Sequence, residues 1–277
     1  IVHFIAGNHD TYYKNTNETN SLIELGVSSY DNFHIHINEA KEMLFDGTQI
    51  LFVPWICDDN RVRTMRAINE TKAQIAMGHL ELSGFEMYRG AGPSHGDDPS
   101  VFNRFDLVCS GHYHHRSNNG NIFYLGSPTE YTWSDYADPK GFHIFDTETR
   151  SLTFIENPVK VFDKIFYDDL NKTMDEVLLF DASAYTNKYI KVIIKNKTNP
   201  YWFDTVIERI DKVGVADMQV VEDHLNLDLE EDSDIINEAE DTMTILKKYL
   251  MGMNTTIDKG RIENIVQDLY SRAQTIE

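Results

Sequence analysis

Short apolar runs alternate with polar segments along the first 157 residues of this 277-residue chain. Three of the runs stop at a glycine: residues 1–6 before Gly7, 74–77 before Gly78, and 105–110 before Gly111. Apolar runs this short, bounded by turn residues, are typical of buried strands. The pattern therefore predicts three buried strands, each followed by a tight loop.

Other patterns predict the remaining elements of this segment. Residues 33–37 alternate strictly, as strands do, and residues 60–71 have helical character. A short helix that ends at Gly26 is predicted, and so are a second group of strands that includes an antiparallel set: 49–55 after an Asp46-Gly47 turn, 121–125, 141–147 and 151–155. Together these elements predict a layered α/β (α+β) fold, a sandwich of sheets with flanking helices.

The pattern changes after Pro158. Residues 161–221 read as a small α/β unit with strands at 188–194 and 218–221 and a helix at 204–213. Residues 217–241 carry many acids and no lysine or arginine, which favours a solvated linker over a mimic of nucleic acid. Two amphipathic helices follow, and they either pack on the body of the protein or offer an apolar stripe to a partner helix.

Composition narrows the function classes. The formal net charge of −20 argues against a free-standing, non-specific DNA-binding protein, which is normally basic. No apolar run is long enough to span a bilayer and no signal peptide opens the chain, so we expect no membrane association. Cys57 and Cys109 adjoin apolar segments and are expected to be buried free thiols, which fits a cytoplasmic location.

The loops that follow the three glycines carry residue types that bind metal: Asn8 and His9, then His79, then His112 and His114. Glycine lets the backbone pass close to a ligand without a Cβ clash. The His112-x-His114 spacing puts both imidazoles on one side of an extended segment. Imidazoles and an amide oxygen suit first-row ions such as manganese or iron, and carboxylates normally complete the set. The sequence therefore predicts a metal centre.

These motifs resemble those of a known family. Gly7-Asn8-His9-Asp10, Gly78-His79 and Gly111-His112-Tyr113-His114 look like the third, fourth and fifth motifs of calcineurin-like metallophosphoesterases. Further segments resemble SbcD-type nucleases, and most closely the recombination nuclease subunits of T-even phages: Gly126-Ser127-Pro128, Gly141-Phe142, the segment 78–85, and Ser94-His95-Gly96.

The resemblance implies a role for each motif residue. Asn8, His79 and His112 would bind one divalent ion and His114 a second, with manganese expected and magnesium or iron as alternatives. His9 would face the scissile phosphate as a catalytic residue, and Asp10 would orient the loop or His9. His95 is a substrate-binding candidate by family analogy alone.

The same resemblance implies a domain plan and partners. Residues 1–158 would form the nuclease domain, a two-sheet metallophosphoesterase sandwich, and 159–222 a capping domain. Residues 223–235 would be an acidic linker, and 236–277 helices that dock an SMC-like coiled-coil ATPase. The expected activity is hydrolysis of DNA phosphodiester bonds in recombination, repair and replication. A homodimer is expected, in the host cytoplasm if the protein is phage-encoded.

One departure from the family concerns the start of the site. The family has two earlier motifs, Asp-x-His and Gly-Asp-x-x-Asp, which supply a bridging aspartate, and neither occurs before Gly7. Asp135 and Asp138 are weak substitutes for that aspartate. We therefore expect that the sequence lacks an N-terminal part of the natural protein, and that this chain by itself binds metal poorly and is inactive.

Two rival functions stay open at this point. The metal motifs serve a whole superfamily, so a phosphomonoesterase or a cyclic-nucleotide phosphodiesterase is one rival. A catalytically incomplete scaffold subunit is the other.

Several other side chains have open roles. An aromatic group at Tyr131, Trp133 and Tyr136 could stack on DNA bases or pack in a core. A basic group at Arg61, Arg63 and Arg66 could meet phosphates or simply face solvent.

Overall fold

The computed structural model describes residues 1–87, 96–222, 250, 259–262 and 265. Their contacts divide the chain into two compact units. The first contains residues 1–131 and 135–161, and the second contains 132–134 together with the described residues from Phe162 onward. The division into domains at 158, 222 and 235 stays a prediction.

The strands are β1 (Val2–Ile5), β2 (Thr11–Tyr13), β3 (Thr16–Asn20), β4 (Phe33–His36), β5 (Lys41–Phe45), β6 (Thr48–Val53), β7 (Ile75–Gly78), β8 (Leu107–Ser110), β9 (Ser117–Asn119), β10 (Ile122–Tyr124), β11 (Gly141–Asp146), β12 (Ser151–Glu156), β13 (Phe162–Asp168), β14 (Tyr189–Asn196) and β15 (Asp217–Glu222). The α-helices are α1 (Ser21–Glu24), α2 (Arg61–Glu70), α3 (Met174–Leu178) and α4 (Pro200–Lys212).

A six-stranded sheet in the order β5-β6-β7-β8-β10-β9 forms the centre of the first unit. Strands β6, β7, β8 and β10 are parallel, whereas β5 and β9 are antiparallel to their neighbours. The prediction that residues 121–125 belong to an antiparallel set is therefore wrong for the β8 side of β10. The pattern identifies a strand but not its partner, and the tight β9–β10 hairpin at Gly120 returns the chain beside β8.

Both faces of this sheet are covered, which confirms the predicted layered fold. Residues of β6 alternate between the faces, as strand geometry requires. Leu51 and Val53 join a core with Ile68 of α2, and Ile50 and Phe52 join a second core. Phe145 of β11 and Leu152 of β12 pack against that second core, so the antiparallel β11–β12 hairpin covers its face of the sheet.

Strand β1 pairs with β4 in a separate parallel ribbon and is only half buried. His3 and Ile5 face the core, where His3 contacts Phe45 and Phe52. Val2 and Phe4 point the other way and are exposed. The expectation of a buried strand is thus wrong for one of its two faces, because the described chain packs on one side of the ribbon only.

The Asp46-Gly47 turn joins β5 to β6 as predicted. Both residues have positive φ, 46° and 84°, which is the backbone of a tight two-residue hairpin. Strand β5 itself was not predicted, because its sequence lacks strict alternation of apolar and polar residues.

The second unit contains a parallel sheet in the order β13-β14-β15 with α3 and α4. Its core includes Val192 of β14 and Phe203, Val206 and Ile210 of α4. Helix α4 begins at Pro200, four residues earlier than predicted, because the side chain of Asn199 accepts hydrogen bonds from the N–H groups of the first turn.

The acidic segment 223–235 lies outside the described residues, as does most of 236–277. Of the latter, only residues 250, 259–262 and 265 are described, and they are helical. Within the described chain, no helix combines the length and the apolar character needed to cross a bilayer.

Candidate metal centre

The ends of three strands bring the predicted site together. Strands β6, β7 and β8 are parallel neighbours, so the loops that follow them leave from one edge of the sheet. The N–H of His79 donates to the carbonyl of Val53, and the N–H of Gly111 donates to the carbonyl of Gly78. The loop after β1 reaches the same edge, because the N–H of Trp55 donates to the carbonyl of Ala6 at 2.8 Å.

Asn8, His79 and His112 converge at this edge. The amide Oδ1 of Asn8 lies 2.8 Å from Nε2 of His79 and 3.2 Å from Nδ1 of His112, and the two imidazole nitrogens are 3.3 Å apart. Two ligands at right angles around one ion, with bonds of about 2.1 Å, are separated by about 3 Å. The three atoms therefore have the spacing of neighbouring ligands in one coordination shell.

Glycine is required beside His79 on the loop after β1. A Cβ built on Gly7 would lie 2.6 Å from Cε1 of the His79 ring, and one built on Gly111 would lie 3.3 Å from its Nδ1. The backbones on both sides thus pack directly against the imidazole. This close approach explains two of the three glycines that end the apolar runs.

The surroundings of His79 favour its neutral form. Burial disfavours the imidazolium and lowers the pKa of His79 to about 4, and the nearby His9 lowers it further. A neutral imidazole at pH 7 has the lone pair that metal coordination needs.

His112 has a strained backbone, with φ at +79°, a conformation that costs free energy for a residue with a Cβ. The ring of Trp55 lies against it, with centroids 5.3 Å apart and planes tilted by 31°. Sequence reasoning missed Trp55 as a site residue. The signal was its place directly after the strand at 49–53, the same context that drew attention to His79.

His9 and Asp10 complete the loop after β1. His9 is exposed, yet it lies close enough to His79 to lower the pKa of that residue. The carboxylate of Asp10 accepts a hydrogen bond of 2.8 Å from the N–H of Gly7, and its own N–H donates back to the carbonyl of Gly7. Asp10 therefore closes the loop that presents Asn8.

His114 is paired with a carboxylate. Its Nδ1 lies 3.2 Å from Oδ1 of Asp135, and Nζ of Lys140 lies 2.9 Å from the same oxygen. Burial alone would raise the pKa of Asp135, but hydrogen bonds from His114, Lys140 and the N–H of Tyr131 outweigh it, and the pKa lies well below the usual value. Asp135 is therefore an ionised carboxylate inside the protein.

The next histidine has a similar arrangement. Nδ1 of His115 lies 3.0 Å from Oδ1 of Asp138, whose other oxygen accepts from Lys140 at 2.7 Å. Asp135 and Asp138 therefore pair with histidines and with Lys140, and neither belongs to the convergent set of Asn8, His79 and His112. Their substitution for a bridging aspartate finds no support in this arrangement.

The Gly126-Ser127-Pro128 motif contacts the carbonyl of His114. The N–H of Ser127 donates to that carbonyl at 3.1 Å, and Gly126 adopts a φ of +73° directly against it. The N–H of Gly141 in turn donates to the carbonyl of Ser127. The two glycine motifs therefore support the loop that carries His114.

The convergent donors fit part of a divalent-metal site. In the portion of the chain that the structure describes, no three His, Cys, Asp or Glu side chains group closely enough to hold an ion. The set consists of two imidazoles and one amide, a chemistry that suits manganese or iron and leaves positions for carboxylates.

The remaining candidates divide by exposure. Tyr131 is exposed and lies edge-on to His114, with ring centroids 5.8 Å apart. Trp133 is buried and packs on Phe162, which favours the core-packing alternative for that residue. Arg61 pairs with Asp97 on an exposed helix face. His95 lies outside the described residues.

Comparison with known proteins gives a consistent set of matches. The sequence profile described as calcineurin-like phosphoesterase matches residues 1–116. The chain is 32% identical over 270 residues to exonuclease subunit 1 of enterobacteria phage T4, an alignment that covers 96% of this chain and 74% of that protein.

Two staphylococcal proteins, both of them subunits of the nuclease SbcCD, are also similar. The one from Staphylococcus epidermidis is 27% identical over 234 residues, covering 72% of this chain and 57% of that protein. Its namesake from Staphylococcus saprophyticus is 33% identical over 100 residues, covering 34% of this chain and 27% of that protein. The chain thus matches less than two thirds of the length of either staphylococcal relative.

Proposed function

Because this chain belongs to the calcineurin-like phosphoesterase family, we propose that it is the nuclease subunit of a DNA recombination and repair complex and hydrolyses DNA phosphodiester bonds. The observation that carries the proposal is the convergence of Asn8, His79 and His112 within 3.3 Å of one another. Relatives named as an exonuclease subunit and as nuclease subunits support the choice of DNA over other phosphoesters.

The proposed cofactors are two divalent ions, with manganese as the native metal. Asn8, His79 and His112 would hold one ion, and His114 would contribute to the other. When bound, such ions supply Lewis-acid stabilisation of the negative charge that develops on the phosphate oxygens.

His9 is the proposed catalytic residue of the chain. It is exposed beside the convergent donors, where an imidazole can reach the phosphate of a bound strand. A histidine there either stabilises the charge on the phosphate or donates a proton to the leaving oxygen. Asp10 keeps the loop in shape through its hydrogen bond with Gly7, so that His9 and Asn8 stay in position.

Tyr131 is a proposed contact for the DNA strand. Its ring is 57% exposed and next to His114, so a base could stack on it as the strand enters the site. Stacking of this kind contributes about 1–3 kcal/mol per base without regard to sequence.

The net charge bears on the proposed partners. A chain with a charge of −20 repels the phosphate backbone, so a partner has to supply much of the DNA affinity. We propose that this partner is an SMC-like coiled-coil ATPase that docks on helices in 236–277. We also propose a homodimer, and a cytoplasmic location that suits the buried free thiols of Cys57 and Cys109.

The decisive experiment compares the full-length protein with its His9→Ala variant in manganese. We expect the wild type to cleave single-stranded DNA or duplex ends and to leave p-nitrophenyl phosphate largely intact. Substitution of His9 is expected to abolish cleavage, at least about 100-fold, because a positioned acid or base contributes that much. Manganese content, measured by atomic emission, is expected to stay nearly unchanged.

The two readouts separate the possible failures. Loss of manganese in His9→Ala means that His9 is a ligand and that its proposed role is wrong. Efficient hydrolysis of nitrophenyl phosphate without DNA cleavage identifies a phosphomonoesterase instead. Tight metal binding without hydrolysis of either substrate identifies a scaffold with an incomplete site.

A further inference from the structure

His114 is held more completely than a surface histidine needs to be. Its carbonyl accepts hydrogen bonds from Nζ of Lys140 at 2.8 Å and from the N–H of Ser127 at 3.1 Å. Its ring is paired through Nδ1 with both oxygens of Asp135, at 3.2 and 3.3 Å. Both the backbone and the imidazole plane are therefore constrained.

Asp135 is itself fully engaged. One of its oxygens contacts Lys140, and the other accepts a hydrogen bond of 2.9 Å from the N–H of Tyr131. The side chains of Asp135 and Lys140 are only 1% and 2% exposed, so neither can exchange its partner for water. A buried carboxylate in this setting stays ionised only because the lysine and the hydrogen bonds compensate its charge.

An ionised carboxylate can only accept hydrogen bonds, so the proton shared with His114 must lie on Nδ1. Neutral imidazole carries one proton, and Nε2 is then the nitrogen with the available lone pair. Histidines that bind metal commonly have their other ring nitrogen fixed in this way by a carboxylate.

We infer that Asp135, held in place by Lys140, is a positioning residue that fixes the Nδ1–H tautomer of His114 and so aims its Nε2 lone pair at the metal centre. This inference rests on the proposed function, in which His114 is a ligand. It assigns Asp135 a role different from that of a bridging aspartate, since its oxygens are occupied by His114, Lys140 and Tyr131.

Asp138 provides a matched control. It contacts the same lysine and pairs with His115 through Nδ1 at 3.0 Å, and its side chain is 5% exposed. Asp138→Asn perturbs the same buried cluster to a similar extent. It leaves the pairing of Asp135 with His114 in place.

The test is a nitrogen-15 NMR measurement of the histidine tautomers in the metal-free, full-length protein. We expect the Nδ1–H form for His114 in the wild type and in Asp138→Asn. In Asp135→Asn we expect a loss of that preference, because an amide can either donate or accept. An Nε2–H form of His114 in the wild type overturns the inference, even if a variant fails to fold.

A second readout measures manganese affinity by calorimetry in the same proteins and in His114→Ala. We expect Asp135→Asn to weaken binding at the second ion by about 10- to 100-fold and Asp138→Asn to leave it nearly unchanged. Equal affinities for the two Asp variants overturn the inference. If His114→Ala binds manganese like the wild type, the proposed ligand role of His114 fails instead, which is a separate result.

Discussion

Around His79, the absence of a side chain is as important as the side chains that are present. Gly7 and Gly111 lie on either side of its imidazole, and the ring occupies the space that a Cβ would need. The neutral state of the ring has a similar origin, because the surrounding protein that packs against it disfavours the charged form.

We predict a graded effect of alanine at these two glycines. Gly7→Ala places a methyl group 2.6 Å from Cε1 of His79, a separation that forces the ring to move, and manganese affinity is expected to fall about tenfold or more. Gly111→Ala creates a contact of 3.3 Å, which a small shift relieves, so its effect is expected to be smaller.

Titration calorimetry with manganese measures both affinities in the full-length protein, and near-UV circular dichroism checks that each variant is folded. A Gly7→Ala variant with wild-type affinity contradicts the position assigned to His79.

At the scale of elements, the loop after β7 is tied to β10 by Tyr124. Its hydroxyl donates to the carbonyl of Leu80 at 2.9 Å and accepts from the N–H of Leu82 at 3.0 Å. Its ring stacks on Tyr113, whose hydroxyl donates to the carbonyl of Leu82. These buried bonds satisfy backbone groups that would otherwise be unpaired beside the site.

We predict that Tyr124→Phe lowers the free energy of unfolding by about 1–3 kcal/mol, because it leaves a buried N–H and a buried carbonyl without this partner. Urea denaturation measures the change. Tyr12→Phe is the control, since that side chain is 78% exposed, and it is expected to stay within about 0.5 kcal/mol of the wild type. Equal stability of the two variants shows that the Tyr124 hydroxyl contributes no net stability.

For the whole molecule, the β1–β4 ribbon carries three histidines that stack on one another. His3 lies between His34 and His36, and its Nδ1 is 3.1 Å from Nε2 of His36. Burial lowers the pKa of His36 to about 4, with further lowering by His3, Lys41 and His34. The folded protein therefore keeps His36 neutral at pH values where the unfolded chain protonates it.

This difference predicts a loss of stability in mild acid. Between about pH 6.5 and pH 4 the unfolded state binds more protons at His36 than the folded state, so the unfolding free energy falls as the pH falls. The stabilising contribution is complete above pH 6.5, and about 2–3 kcal/mol of it is lost by pH 4.

The measurement is urea unfolding at pH 7 and at pH 4.5 for the wild type and for His36→Gln. The variant is expected to lose less stability between the two pH values, because the carboxylates titrate in both proteins and only the histidine differs. Identical pH dependence in the two proteins contradicts the assignment to His36.

Much of the fold was predictable because local patterns carry it. The glycine-terminated runs, the Asp46-Gly47 turn and the family itself were predicted from the sequence, and the structure and the comparisons confirm them. Strand partners were less predictable, as β10 shows, because a strand's own pattern does not say which edge it joins.

The sequence by itself determined which residues carry the chemistry, because metal-binding side chains and the glycines before them are local features that can be read along the chain. Only the tertiary structure decided their surroundings. Asp135 lies 21 residues from His114 and Trp55 lies 57 residues before His112, and neither pairing follows from any periodicity. They arise where strand ends meet and where Lys140 is buried between two carboxylates, and those contacts depend on how distant segments pack.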